Sequence, residues 1–239
     1  MTGEARQLPL ALRHAPALGR EDFLAGGSNA AALAWIDRWP DWPGRALAIH
    51  GPAGSGKTHL GGIWAAGAGA VAVGLGELGQ REAPQLLGDA PACLIDTGEW
   101  QGETPLAEVA LLHLANWLAQ GGAGLLICSR LAPARWPVAL PDLRSRLAAI
   151  TAVAIAAPDD ALLGALLAKL FADRRLRVTP EVIEHLVRRM ERSCAAAGRL
   201  VEAIDAASLA ARRPVTVPLV RAVLERPGQG EGDGDVTVE

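Results

Sequence analysis

The residues best suited to chemistry lie in one run, Gly51-Pro52-Ala53-Gly54-Ser55-Gly56-Lys57-Thr58. Its spacing is that of the phosphate-binding loop, G-x-x-x-x-G-K-[ST]. Each part has a task. Gly51, Gly54 and Gly56 let the backbone curl so that its N–H groups converge on phosphate oxygens, and a helix starting there adds the positive end of its dipole. Lys57 supplies a point charge for the β and γ phosphates, and Thr58 a hydroxyl for Mg²⁺. A Gly-rich turn before a helix is the bland alternative. Against it, the chain has 21 Arg and only two Lys, and one of those Lys fills the required slot. The reading is a site for ADP or ATP.

The Mg²⁺ side of such a site needs a carboxylate at the end of a neighbouring strand. Cys93-Leu94-Ile95-Asp96 reads as that strand, and Asp96 as that carboxylate; a strand-end turn Asp is the plainer option. Metal binding then falls to Thr58 and Asp96. Hydrolysis also asks for a second carboxylate to orient the attacking water. The adjacent position holds Thr97, and Glu99 comes two residues later. The chain is therefore expected to hold nucleotide well and hydrolyse it poorly. His50 and His59 flank the loop without zinc spacing to a Cys. The seven Trp are scattered and read as core or loop-edge packing.

These residues need a frame. Ser28 and Asn29 can cap a helix that starts at Ala30 and stops by Pro40. Arg45–His50 is a short apolar strand that feeds the loop, and the helix after the loop ends near Gly67. Further strands are expected at Ala70–Val73, Pro91–Asp96, Gly124–Ser129 and Ala148–Ile155, with helices at Leu106–Gln120 and Asp142–Leu147. This alternation predicts a parallel sheet covered on both faces. Beyond Pro158 only helices fit: Asp159–Ala172, Pro180–Glu191, Ala195–Arg212 and Pro218–Glu225, the first two capped by Asp159 and Thr179. The domains are thus an N-terminal tail over 1–14, an α/β domain over 15–157, a small all-helical domain over 158–226, and a disordered acidic tail over 227–239.

Composition narrows the function. The chain has 239 residues, half of them hydrophobic, so disorder throughout is excluded. The net charge is −3, and four acidic residues of the C-terminal tail account for it; a strongly basic nucleic-acid binder is not expected. Cys93, Cys128 and Cys194 have no paired spacing, which fits a reducing cytoplasm. The uncharged stretches Thr58–Gly76 and Val109–Ser129 are broken by Gly and polar residues, so no membrane segment is expected.

Three segments carry a family resemblance. Glu21–Asn29 (EDFLAGGSN), the loop continuing as Lys57-Thr58-His59-Leu60, and Leu143-Arg144-Ser145-Arg146-Leu147 together resemble the AAA+ domain of the bacterial replication initiator DnaA. With no DNA-reading domain expected after the helical lid, the chain is similar to the short DnaA-related AAA+ regulators. The resemblance implies an AAA+ P-loop NTPase core with a parallel five-stranded sheet, followed by a small all-helical lid. It implies nucleotide contacts from Phe23, from Gly51 through Thr58, and from His59, Asp96 and Arg199. Phe23 would lie against the adenine; by residue type it is equally a core side chain of its loop. Ser129 falls where such proteins place a polar residue near the γ-phosphate, while Arg130 departs from the acidic residue common in initiators. Arg146 matches the arginine finger, which neutralises charge on a neighbour's γ-phosphate. Without the resemblance Arg144 and Arg146 read as a solvated face, and Arg199 as a helix-surface arginine.

Gln7-Leu8-Pro9-Leu10-Ala11-Leu12 resembles the clamp-binding peptide of bacterial replication proteins. Gln7 would hydrogen-bond at a pocket edge, and Leu8, Leu10 and Leu12 would fill apolar pockets. An apolar terminus packed on its own domain is the alternative. The resemblance thus implies two partners, the DNA polymerase sliding clamp (beta) and DnaA. DNA is reached only through the clamp, no membrane is involved, and homo-oligomers are an option. The expected activity is to activate hydrolysis of DnaA-bound ATP in trans, in the cytoplasm, at the nucleoid and replisome. The rivals are a helicase-loader-like AAA+ ATPase and a non-catalytic adaptor that binds clamp and nucleotide.

Overall fold

The computed structural model describes residues 19–98 and 105–225. Gln7, Leu8, Leu10, Leu12, Glu99 and the acidic tail lie outside these residues. Short apolar runs form five parallel strands: β1 Ala46–His50, β2 Val71–Val73, β3 Ala92–Gly98, β4 Gly124–Ser129 and β5 Thr151–Ala154. Their spatial order is β2-β3-β4-β1-β5. β4 is central and buried at every residue, as an unbroken apolar strand covered on both faces must be.

Alternation along β4 separates two cores. Leu125 and Ile127 meet the layer of α3 Ala83–Leu87, α4 Pro105–Gly121 and α5 Pro141–Ala148, which contributes Leu111, Leu114, Leu118, Leu143 and Leu147. Leu126 and Cys128 meet α1 Ala30–Ile36 and α2 Lys57–Ala68, through Leu33, Ile36, Leu60 and Trp64. Three of the Trp cluster at one edge of this second core. Trp42 stacks on Trp64 with ring centres 5.2 Å apart, and Trp39 stands edge-on to both.

The register sets out the functional edge. His50 pairs with Ser129, and Asp96 with Cys128, so the C-terminal ends of β1, β3 and β4 lie side by side. In a parallel α/β sheet this edge is where ligands are held.

The described residues beyond β5 form four α-helices: α6 Asp160–Asp173, α7 Pro180–Val187, α8 Cys194–Ala211 and α9 Val217–Leu224. They enclose their own core of Leu167, Phe171, Val182, Leu186, Val201 and Ile204. Asp159 caps α6 by accepting from Leu162 N at 2.8 Å. Among the described residues no helix is long and apolar enough to cross a membrane.

Several expectations are corrected. The strand placed at Ala148–Ile155 begins only at Thr151, because Ala148 still closes the last turn of α5. Thr179 makes no side-chain cap; Pro180 at the first helical position, with no N–H to satisfy, starts α7 instead. Asn29 does not cap α1 either. Its Oδ1 accepts from Gly26 N and its Nδ2 donates to Leu24 O, so it folds the preceding turn. α3 was not anticipated; five residues carry too little periodicity to be read.

One ion-pair cluster ties the helical domain to the segment before α1. Lys169 on α6 donates to Asp22 at 2.7 Å and to Asp173 at 2.8 Å. Donation from Lys169 holds the Asp22 carboxyl below its ordinary value of 3.8. Donation to Asp173 and Asp22 holds the Lys169 ammonium above its ordinary 10.5. The latch therefore contributes fully between those two values. It is lost as pH falls through the lowered Asp22 value, and again as pH rises through the raised Lys169 value. Asp22→Asn is expected to flatten the acid side of the stability profile, read as urea midpoints at about pH 7 and about pH 3. A profile identical to that of the unaltered chain would remove the latch.

Candidate functional site

The site is built on the loop between β1 and α2. Gly51 N donates to Ser129 O at 3.2 Å, while the neighbouring His50 O accepts from Ile155 N at 2.7 Å. The loop thus leaves the sheet wedged between β4 and the residue after β5. Gly51 has φ 156°, and a Cβ there would stand 2.0 Å from Ile155 O, so no side chain fits. Gly54 has φ 68° and meets the helical domain directly. Its carbonyl accepts from Cys194 N at 2.7 Å, and a Cβ would stand 2.7 Å from Ser193. Pro52 and Ala53 form the exposed crown, and Gly56, at φ 98°, turns the chain into α2.

Lys57 opens α2 and is buried. Its Nζ donates to Pro52 O at 2.6 Å and lies 3.4 Å from Ser55 Oγ. Burial pushes its pKa down, Cys128 and Asp96 oppose that, and Arg130 adds to it. A desolvated ammonium ringed by backbone stands to gain from an anion in the same cradle. Thr58 Oγ1 donates to Asp96 Oδ2 at 2.6 Å, and Asp96 Oδ1 accepts from Gly98 N at 3.1 Å. A hydroxyl and a strand-end carboxylate in contact form the donor set that suits a hydrated Mg²⁺ beside phosphate oxygens. The predicted phosphate and metal residues are therefore brought together at one sheet edge.

The wall beyond the loop is Phe23 and His59. Their rings meet edge to face, with centres 5.4 Å apart, and Phe23 is buried with Leu60 in the second core. Phe23 is a core residue that also borders the loop at Gly56. His59 Nε2 is buried with no hydrogen-bond partner among the described residues.

Other predicted residues have local partners. Ser129 Oγ donates to Leu131 O at 2.6 Å, so its hydroxyl is engaged inside the strand-end turn. Thr97, in the slot where a second carboxylate would stand, is buried and donates to Cys128 O at 3.3 Å. Arg130 is exposed, and its N–H donates to Gly98 O at 2.9 Å. Arg199 pairs with Glu191 at 3.7 Å on the surface of α8. What α8 presents to the loop is its first turn, Ser193, Cys194 and Ala195. Ser193 caps that turn by accepting from Ala196 N at 3.0 Å.

Arg146 lies exposed on α5, where its guanidinium donates to Asn116 Oδ1 on α4. Arg144 is held by backbone carbonyls, with Nη2 2.8 Å from Val138 O. Two α4 residues that the sequence did not mark thus arrange α5. Asn116 holds the guanidinium. Glu108, only 4% exposed, accepts from Ala139 N at 3.0 Å and Leu140 N at 2.8 Å. A carboxylate buried on backbone donors just before a helix stands in for the side-chain cap that Leu140 lacks. An acidic residue at an inward position of the α4 stripe was the available signal.

Residues 160–224 match the family model of the Hda lid domain. The helical domain is thus similar to the lid domain of Hda. Beneath it the core has the AAA+ fold, as comparison with solved structures shows. Domain III of the Thermotoga maritima replication initiation protein DnaA superposes with a TM-score of 0.77 at 18% identity, covering 88% of this chain and 97% of that one. AMPPCP-bound DnaA from Aquifex aeolicus gives 0.68 at 17%, covering 80% of this chain and 66% of that one. The Thermotoga maritima RuvB Holliday junction branch migration motor gives 0.58 at 15%, covering 75% and 61%. At these identities the likeness is one of fold. No curated protein matches by sequence.

Glu108→Ala is expected to destabilise the chain by about 2 kcal/mol or more, because it strands two backbone donors in a dry site. Glu108→Gln, which keeps an acceptor, should cost less. Urea unfolding followed by Trp fluorescence decides; equal losses for the two variants would mean that α4 packing, not the cap, is responsible.

Proposed function

We propose that this chain is a nucleotide-binding AAA+ regulator of chromosome replication initiation. It holds ADP or ATP with Mg²⁺ and docks on the DNA polymerase sliding clamp through Gln7, Leu8, Leu10 and Leu12. From there it promotes hydrolysis of DnaA-bound ATP in trans. One observation carries the reading. Arg146 presents an exposed guanidinium on a helix fastened at both ends, bonded to a neutral amide, with no carboxylate partner among the described residues. A cation left unneutralised on a rigid support suits a neighbour's γ-phosphate. Arg144 gives its donors to Val138 and Ala139 carbonyls, which leaves the finger role to Arg146.

The rest of the assignment follows the donor chemistry. The backbone of Gly51 through Gly56 and the ammonium of Lys57 would hold the phosphate tail. Thr58 and Asp96 would hold Mg²⁺, which when bound supplies charge neutralisation between phosphate oxygens. Phe23 and His59 would border the base, and Arg199 would reach the phosphates only by leaving Glu191. The same reading is supported by the AMPPCP found in the Aquifex aeolicus relative. Thr97 argues against a loader-type motor. Its hydroxyl is buried on Cys128 O, so nothing at that position can orient water for hydrolysis by this chain. A nucleotide held between the loop and the first turn of α8 would set the lid angle, and so act as a structural switch rather than fuel.

Two hydrolysis assays test the proposal. The purified chain alone is expected to turn ATP over barely, whereas ATP on DnaA should be hydrolysed faster once chain, clamp and DNA are added. Arg146→Ala is expected to remove that stimulation, by about a thousandfold if the finger acts fully. Strong turnover by the isolated chain would point to the loader. Stimulation that survives Arg146→Ala would sink the finger, and absence of both activities would leave the adaptor. Leu8→Ala with Leu10→Ala should abolish clamp pull-down; retained binding discards the peptide assignment.

A further inference from the structure

The lid carries a basic face that the proposed function does not use. Arg188 and Arg189 follow the last residue of α7, and Arg221 stands in the last turn of α9; all three are exposed. They surround one imidazole. Arg189 Nη1 lies 3.1 Å from His185 Nδ1, and His185 has its pKa held below the ordinary value by burial and then by Arg189, Arg221 and Arg188. Only Arg188 has a carboxylate, Glu184 at 3.4 Å. Arg189 and Arg221 have none among the described residues. Elsewhere on the lid Arg192 pairs with Asp160 at 2.7 Å, Arg199 with Glu191 at 3.7 Å and Arg174 with Asp205 at 4.0 Å, whereas Arg175, Arg177, Arg212 and Arg213 have no carboxylate among the described residues and do not gather around one side chain as Arg188, Arg189 and Arg221 gather around His185.

The missing counter-charge is in the sequence. α9 ends at Leu224, and the residues that follow carry Glu231, Asp233, Asp235 and Glu239, with no basic residue after Arg226. Glu231, Asp233 and Asp235 alternate with Gly, so in an extended chain all three carboxylates project to one side, about 7 Å apart. The tether is short: six residues from Glu225 to Glu231 can span up to about 20 Å, and such a tether keeps the local concentration of the acidic stretch in the millimolar range. We propose that the segment from Glu231 to Glu239 docks on the lid face of Arg188, Arg189 and Arg221 of the same molecule. The segment acts as a built-in polyanion. It neutralises the guanidiniums of Arg189 and Arg221 and keeps other anions, nucleic-acid phosphates among them, off this face.

The test uses the full chain labelled with ¹⁵N-glycine, since Gly228, Gly230, Gly232 and Gly234 report on the tail. At about 50 mM salt the tail glycine signals are expected to shift between the unaltered chain and Arg189→Ala/Arg221→Ala, and to coincide at about 500 mM salt, where screening is short-ranged. Arg192→Ala, which removes a matched arginine, should leave them in place. Tail signals indifferent to Arg189 and Arg221, or equally sensitive to Arg192, overturn the proposal. A second arm measures a labelled single-stranded DNA oligomer. Replacing Glu231, Asp233, Asp235 and Glu239 by their amides should raise its affinity about tenfold at low salt, and that gain should vanish in the Arg189/Arg221 variant. Equal DNA affinity with and without the tail charges would end the tail proposal.

Discussion

The site depends on the confinement of one loop. Gly51 is pinned between the end of β4 and the residue after β5, and Gly54 is pinned against the first turn of the lid helix α8. Neither position has room for a Cβ. A loop held by hydrogen bonds on both sides has little freedom left to lose, so an anion that fits it would meet little ordering cost. The same confinement makes the loop the mechanical joint between sheet and lid. Whatever occupies it bears on Cys194 and on α8 behind it.

A second constraint runs through α4 and governs the opposite end of the proposed mechanism. α5 is only eight residues long, too short to be a stable helix by itself. It is held by Leu143 and Leu147 in the core, by the Glu108 carboxylate under its first turn, and by Asn116 on the Arg146 guanidinium. An exposed arginine side chain normally samples many rotamers, and ordering it costs free energy at the moment of contact. Here part of that cost is met inside the chain, by a neutral partner that leaves the charge intact. A carboxylate at position 116 would hold the side chain more tightly and cancel the field it is meant to project.

How much of this was legible in the sequence follows from the reach of each interaction. The five strands and four lid helices show because apolar periodicity and Gly/Pro punctuation are local signals. The loop shows because a phosphate cradle needs fixed residues in consecutive positions, and Asp96 shows because it closes an apolar strand. The partners of Arg144 and Arg146 were beyond reach. Glu108 and Asn116 lie some thirty residues from what they bind; the inward place of Glu108 on the α4 stripe marks it as buried but not what it holds, and Asn116 reads as a surface residue of a helix. Asn29 was misread for a related reason. It carries the signature of a cap, but its side chain was taken by Gly26 and Leu24 behind it before the helix could use it. The first turn of α8 was missed because Cys194 meets Gly54 through backbone atoms, which carry no residue-type signal.

Thr97 joins these arguments. In a chain that hydrolysed its own nucleotide, this position would have to offer a carboxylate toward the loop. Instead it carries a small hydroxyl that turns inward and fastens β3 to β4 through Cys128 O. Cys128 in turn reaches α2, its thiol 3.6 Å from Lys57 O, with its pKa driven upward by burial and by Asp96. The strand end behind the loop is therefore built as a dry brace under Lys57 rather than as a wet face for catalysis. With Thr97 in that slot, the proposed function has the cradle retain a phosphate chain rather than cleave it. Under the proposed function the reactive charge of the molecule is the one on α5, which is exposed and would act on a substrate that another protein holds.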